Sequence, residues 1–329
     1  MMNTMLDLFL ENEKQIKKAF RFENQLVQKF AALQIALQNQ TVDIEKAKEM
    51  MEYVKKETSA FSYFRSNNLL PISIALSLHS NGFEVFQLTQ KYYEDLKKAG
   101  FKRSHNLPFM AYFLATEVDN NDVSMIIERA LDFYQKMKEE HVWLTSSEDY
   151  MNALILAHSH SDVSLAIHEI EKCYDYLNNQ GLRKGNTLQA ISHLLSLSND
   201  SHSNKCDRLL QYEALLKENK ISLNSYSKTL LGILAILEVQ PESIVNEMMK
   251  VDDQLSKQKG FGNFSLGKAN RSLFTIAIVS APYLRAESAQ TLNSTIQNSI
   301  QSIILAEQAA IIASISAATA ASNSGSSSN

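Results

Sequence analysis

The sequence predicts an all-α protein built from repeated helical hairpins. Two observations support this fold class: the composition of the chain and a segment that recurs about every 40 residues. The 329 residues include 40 Leu and 30 Ala against 12 Val, with 9 Gly and 4 Pro. Leu and Ala favour helices, whereas chains rich in strands need more β-branched residues and more turn residues.

A charged amphipathic segment recurs six times and indicates the repeat. Its copies end in EYVKKETSAF, YYEDLKKAGF, FYQKMKEEHVWL, CYDYLNNQGL, QYEALLKENKI and KVDDQLSKQKGF. The spacings of 40, 41, 40, 38 and 39 residues are counted between one anchor in each copy: Tyr53, Tyr93, Tyr134, Tyr174, Tyr212 and Val251. Such a period is typical of helical-repeat proteins. With a first pair over residues 3–39, we expect six to seven helical pairs in a solenoid-like arrangement.

Each charged segment is followed by a segment that is apolar on nearly every side, such as LLPISIALSLHS or LQAISHLLSLS. Such segments are expected to be buried between neighbouring layers. One of them, Ile72–Leu78, also alternates as a strand does, so an α/β barrel is the alternative fold. The Leu- and Ala-rich patterns of the other copies and the scarcity of Val favour helices.

The C-terminal part differs in composition, because residues 288–329 contain a single charged residue, Glu307. We predict a helical-repeat domain over residues 1–286, an Ala/Ser/Ile-rich helix packing on it over 287–321, and a disordered Ser-rich tail over 322–329. A row of small residues at spacing four permits close helix approach and self-association. This row consists of Ala309, Ala313, Ala317 and Ala321.

The overall charge and the two cysteines limit the class of protein. A formal net charge of −4 argues against a dedicated nucleic-acid binder. Cys173 and Cys206 lack the spacing of a disulfide framework or a zinc site. No segment has the length of a membrane span or of a signal peptide, so we expect a cytoplasmic protein without a membrane partner.

Loops that lead from charged to apolar segments share a second pattern. In four of them an Asn follows three residues after an Arg or a Gly. Because equivalent positions of a solenoid stack along one edge, we expect these residues to form a row. The residues of this Asn/Arg row are Arg65, Asn68, Arg103, Asn106, Arg183, Lys184, Asn186, Lys268, Asn270 and Arg271. Amides and guanidinium groups together suit an extended peptide or a phosphate chain. The alternative interpretation is that each Asn caps a helix.

Two other motifs are candidates for a chemical role. His158, His160 and Asp162 are residue types that bind metal ions, and they lie close together in the sequence. A metal site, however, needs at least three convergent ligands. The Gly-rich stretch 259–268 lacks the spacing of a phosphate-binding P-loop. No cofactor and no catalytic residue is predicted.

Three segments resemble a known family: FRSNNLLP (64–71), KGNTLQAISHLL (184–195) and QKGFGNFSLGK (258–268). Together with the Ala/Ser-rich ending they resemble the bacterial domain-of-unknown-function family 4003 of the Firmicutes. The resemblance implies a bacterial, cytoplasmic, helical protein and carries no catalytic residues with it.

Three hypotheses of function follow. The sequence favours a non-enzymatic scaffold that binds a protein or peptide along the Asn/Arg row. The alternatives are an RNA-binding helical-repeat protein and an enzyme with a metal or phosphate site.

Overall fold

The computed structural model describes residues 2–237 and 239–285, and within these residues it contains helices and no strand. The helices occur in seven consecutive pairs along the chain. Their bounds are α1 (Met2–Ala19), α2 (Gln25–Leu37), α3 (Ile44–Glu57), α4 (Leu69–Ser77), α5 (Gly82–Ala99), α6 (Leu107–Glu117), α7 (Val123–Glu140), α8 (Tyr150–Ser159), α9 (Val163–Asn179), α10 (Asn186–Leu195), α11 (His202–Glu218), α12 (Ser225–Ile236), α13 (Pro241–Ser256) and α14 (Lys268–Arg285). The all-α prediction is confirmed, whereas the solenoid-like arrangement stays a prediction.

Odd- and even-numbered helices differ in burial, as the sequence pattern predicts. In α9 the apolar side chains recur at helical spacing, so that Ile170 and Leu177 are buried while Lys172 on the opposite face is exposed. In α4 every residue from Leu69 to Ser77 is buried. The even helices therefore form the inner layer of each pair, and the odd helices cover them with one face towards water.

The α/β-barrel alternative is not supported. The alternating run Ile72–Leu78 lies in α4 and its C-terminal cap rather than in a strand. Its serines are buried and satisfy their hydroxyls on the helix itself, since Ser73 Oγ donates to the Leu69 carbonyl at 2.7 Å and Ser77 Oγ to the Ile74 carbonyl at 2.8 Å. A helix buried on all sides needs no polar face, so a period of two and a period of 3.6 fit it equally well.

The described chain divides into two compact units, with the boundary inside α7. The N-terminal unit contains residues 3–131, and the C-terminal unit contains the described residues 132–237 and 239–285. Within the N-terminal unit, α3 and α5 contact each other, as do α2 and α4. Within the C-terminal unit, α9, α11 and α13 contact one another in sequence, as do α10, α12 and α14. In each unit, charged helices thus pack beside charged helices and apolar helices beside apolar helices.

Local signals define where several helices begin and end. Asp43 and Asp162 cap α3 and α9, with side-chain oxygens that accept from the Lys46 and Leu165 amides at 3.0 Å. Helix α9 ends at Asn179, and Gly181 follows its C-cap with a φ of 100°, in the left-handed region that glycine adopts without strain. The next amide, of Leu182, then donates back to the Leu177 carbonyl at 3.1 Å. This turn directs the following loop away from the helix axis.

The predicted C-terminal helix 287–321, the tail 322–329 and the alanine row 309–321 lie outside the described residues. Among the described helices, none is long and apolar enough to cross a lipid bilayer. Cys173 and Cys206 are both buried free thiols.

Candidate functional site

The loops of the protein form two sets, and the predicted site residues belong to one of them. Seven loops lead from an odd helix into an even helix, and we call them the basic loops: residues 20–24, 58–68, 100–106, 141–149, 180–185, 219–224 and 257–267. The loops that lead from an even helix into an odd helix, here the acidic loops, are residues 38–43, 78–81, 118–122, 160–162, 196–201 and 237–240.

The two sets of loops carry opposite charge. Lys and Arg of the basic loops are Arg21, Arg65, Lys102, Arg103, Arg183, Lys184, Lys220, Lys257 and Lys259. Their acidic residues are Glu23, Glu148 and Asp149, and burial raises the pKa of Asp149 to about 6. The described residues of the acidic loops include no Lys or Arg, and their acidic residues are Asp43, Asp119, Asp122, Asp162 and Asp200.

Exposed aromatic side chains follow the same division. Among the described residues, four aromatic side chains are at least 89 % exposed: Phe22, Phe61, Trp143 and Phe264. All four lie in basic loops. The Arg21 guanidinium carbon lies 4.6 Å from the centre of the Phe22 ring, which is the geometry of a cation–π contact.

In the N-terminal unit, part of the predicted Asn/Arg row is used inside the protein. The Arg65 guanidinium donates to the Thr58 hydroxyl at 3.0 Å, to the Thr58 carbonyl at 2.8 Å and to the Lys55 carbonyl, so it caps the C-terminus of α3. Asn68 is fully buried, and its amide donates to the Tyr63 and His105 carbonyls, each at 2.9 Å. This amide therefore ties loop 58–68 to loop 100–106.

The other two predicted residues of this unit differ from each other. Asn106 is buried at the start of α6, whereas Arg103 is exposed. Arg103 lines a cavity of about 370 Å³ between the two loops, together with Phe61, Tyr63 and Tyr93. Burial raises the pKa of the Tyr93 hydroxyl, and the nearby positive charge of Arg103 opposes this rise.

In the C-terminal unit, three basic loops lie side by side. Loops 180–185 and 219–224 border a cavity of about 560 Å³, and Arg183, Lys184 and Asn186 are exposed there. Loops 219–224 and 257–267 border a second cavity of about 340 Å³, which Lys268 also lines. The Asn224 amide donates to the Asn270 side-chain oxygen at 2.9 Å and links loop 219–224 to the first turn of α14.

Arg271 has an internal role. Its side chain is 3 % exposed and makes a two-pronged contact with the Asp252 carboxylate, at 2.7 Å from Nε and 2.9 Å from Nη2. Its remaining nitrogen donates to the Phe261 carbonyl and to Asn263 Oδ1, each at 3.0 Å. The guanidinium thus joins α13, loop 257–267 and α14.

The metal-ligand candidates do not converge on a metal site. Among the described residues, no group of three or more His, Cys, Asp or Glu side chains could hold a metal ion. His158 and His160 lie at the end of α8, and Asp162 caps α9. Burial, and to a lesser extent the positive charge of Lys205, lowers the pKa of His160.

Two features of the site were missed from the sequence: the exposed aromatic residues and the charge difference between the two sets of loops. Trp143 is 95 % exposed, although tryptophan side chains are highly buried on average. The charge difference is detectable from the sequence, once the loops are sorted by the helices that flank them.

The fold and the site thus define a class: an all-helical protein of paired helices in which, among the described residues, the loops from odd to even helices are basic when taken together and carry the exposed aromatic side chains, whereas the loops from even to odd helices are acidic. The comparison with family models identifies the family. Residues 12–309 match the family "Protein of unknown function (DUF4003)", and the chain belongs to it. It is also similar to the "Uncharacterized protein YeaA" of Bacillus subtilis (strain 168), with 26 % identity over 291 residues that cover 85 % of this chain and 84 % of the relative. No solved structure gives a significant match.

Proposed function

We propose that this protein is a non-enzymatic, cytoplasmic helical-repeat scaffold, and that its basic loops bind an extended acidic segment of a partner protein. The observation that carries the proposal is the charge and aromatic content of the basic loops in a chain whose net charge is −4. These loops taken together thus carry a net positive charge although the protein as a whole is acidic. Such a local field attracts an anionic partner and speeds its association.

The neighbouring groups favour a peptide over a phosphate chain. Each cavity between basic loops also contains carboxylates: Glu213 pairs with Lys228 at 3.0 Å in one, and Glu94 pairs with Lys97 at 2.6 Å in another. These carboxylates repel a continuous chain of phosphates. A peptide also has an amide backbone, and the exposed side-chain amide of Asn186 offers both a donor and an acceptor to it.

RNA is the second candidate, because one observation favours it. Proteins that bind single-stranded nucleic acid combine positive charge with aromatic side chains on which bases stack. Phe61 and Phe264 are exposed in loops that also contain Lys or Arg, and they offer such surfaces. The metal-dependent enzyme has no comparable observation in its favour.

The experiment compares two anionic probes and two charge-reversed variants of the full chain. A fluorescent poly-L-glutamate and a fluorescent single-stranded oligouridylate are titrated with the protein at low and at high salt. In the site variant, Arg183→Glu and Lys184→Glu are combined. The control combines Lys172→Glu and Lys250→Glu, which change the net charge equally on exposed positions of α9 and α13.

We expect poly-L-glutamate to bind the wild type and the control, and to bind the site variant at least tenfold more weakly. No binding of poly-L-glutamate at low salt contradicts the proposal. Binding of the oligouridylate that is lost in the site variant moves the assignment to RNA, and such binding must weaken steeply with salt.

A further inference from the structure

The cavity of about 560 Å³ in the C-terminal unit has an apolar floor under its cationic rim. Leu188 and Ile191 of α10, each 1 % exposed, line it together with the half-buried Leu182 and Leu223. Its volume lies in the range of ligand-binding pockets. An apolar floor does not attract carboxylates. Binding of an acidic segment through charge alone would therefore make no use of this floor.

The packing of α10 against α12 explains where the cavity lies. Towards the C-terminal ends of these helices, Gly232 of α12 allows a close approach, because a Cβ atom there would stand 3.2 Å from Leu194 Cβ, which is tighter than most Cβ contacts. The cavity is lined instead by residues from the N-terminal ends of the same two helices and from the loops before them. The helices are thus in tight contact at one end and open at the other.

The charges around the opening are cationic on balance. Lys228 is paired with Glu213 at 3.0 Å, so these two charges offset each other. Arg183 and Lys184 are exposed at the edge of the cavity and supply the remaining charge. The polar groups between them are those of Asn186, Asn224 and Ser225.

On this geometry we propose that the cavity accepts one large aliphatic side chain of the partner, flanked in the partner's sequence by acidic residues. The apolar side chain contacts the floor formed by Leu182, Leu188, Ile191 and Leu223, while the flanking carboxylates contact Arg183 and Lys184. The partner is then recognised by a short motif of one Leu-like residue within an acidic segment. This inference rests on the proposed function, because it specifies which acidic peptide the basic loops bind.

Two labelled peptides test the motif: acetyl-EEDDLDDEE-amide and the same peptide with Gly in place of Leu. Their dissociation constants for the full chain are measured by fluorescence anisotropy. Burial of a leucine side chain predicts roughly tenfold tighter binding of the Leu peptide, or more.

Two variants assign the effect to this cavity. Ser225→Trp fills the cavity from its exposed edge, and Ser161→Trp adds the same side chain at an exposed position of an acidic loop. We expect Ser225→Trp to reduce the affinity for the Leu peptide to that for the Gly peptide, and Ser161→Trp to preserve the difference. Thermal unfolding monitored by circular dichroism verifies that both variants fold.

Each outcome decides a different point. If both peptides bind the wild type equally, the inference is wrong while the proposed function stands. If neither peptide binds, the proposed function fails and the inference fails with it. A Leu preference that survives in Ser225→Trp, with the protein folded, shows that the apolar contact lies elsewhere and overturns the assignment to this cavity.

Discussion

Replacement of Arg271 by alanine tests whether this residue acts in folding or in ligand binding. The sequence assigned Arg271 to the exposed Asn/Arg row, whereas its guanidinium is buried against Asp252 and also donates to Phe261 and Asn263. Removal of the side chain leaves the Asp252 carboxylate without its two-pronged partner and two acceptors without a donor. The structure therefore predicts a loss of stability.

The magnitude follows from the exposure of the two partners. Loss of one partner of a buried ion pair costs about 3–5 kcal/mol. The Arg271 side chain is 3 % exposed, but that of Asp252 is 24 % exposed, so water can solvate part of the carboxylate that is left. We therefore expect Arg271→Ala to lower the free energy of unfolding by about 3 kcal/mol, the lower end of that range.

Urea unfolding followed by circular dichroism measures this change, and hydrogen exchange of residues 257–285 locates it. Lys268→Ala is the matched control, because Lys268 is an exposed cation three residues away in the same helix. The control should change the free energy of unfolding by less than about 0.5 kcal/mol. Equal stability of the two variants, with weaker binding of poly-L-glutamate only in Arg271→Ala, would refute the structural role.

Three further predictions concern single residues. Burial lowers the pKa of His193 to about 3, whereas an unfolded histidine titrates near 6.5. Protons therefore bind the unfolded state first as the pH falls, and the free energy of unfolding decreases by about 2 kcal/mol between pH 7 and pH 5. The difference in stability between pH 7 and pH 5, measured by urea unfolding, should shrink by that amount in His193→Leu, and an unchanged difference contradicts the prediction. Trp143, the single tryptophan, should emit like free tryptophan and be quenched fully by acrylamide, because it is 95 % exposed; blue-shifted emission of the free protein contradicts this. Gly82→Ala should lower the free energy of unfolding by about 1–3 kcal/mol, since its Cβ would stand 2.5 Å from the Leu76 carbonyl oxygen. Gly262→Ala is the control in the same denaturation assay, because its Cβ would stand 3.8 Å from Ser265 Oγ, an ordinary van der Waals contact.

The helices could be predicted from the sequence because caps, apolar spacing and stop signals within each segment determine most helix positions. In α9, the cap at Asp162, the apolar positions at helical spacing and the stop at Gly181 all point to one helix over 163–179. In α4, the pattern alone was ambiguous, because a helix that is buried on every side carries no amphipathic signal. There the repeat context, rather than the segment itself, decided between a helix and a strand.

The candidate site could be predicted only in part, because residues that share a sequence pattern can differ in burial. Asn68, Asn186 and Asn270 each follow an Arg or a Gly by three residues. Yet Asn68 precedes α4, Asn186 is the first residue of α10, and Asn270 is the third residue of α14. Successive positions of a helix are about 100° apart around its axis, so a shift of one or two residues turns a side chain from the interior to the solvent. Burial of this kind depends on the neighbouring pair, which the spacing within one loop does not specify.

The charge difference between the two sets of loops has a structural explanation, but that explanation is incomplete. Helix dipoles favour acidic residues such as Asp43 and Asp162 at the N-termini of the odd helices, and they favour Lys and Arg at the C-termini of those helices. The same dipoles disfavour cations before the even helices, and Lys184 lies two residues before α10 begins. Helix stability does not explain the fully exposed ring of Phe264 either. The basic loops thus contain residues that helix stability does not favour, and several of these loops border the cavities. A binding surface requires such residues, and for this reason we assign the proposed function to the basic loops.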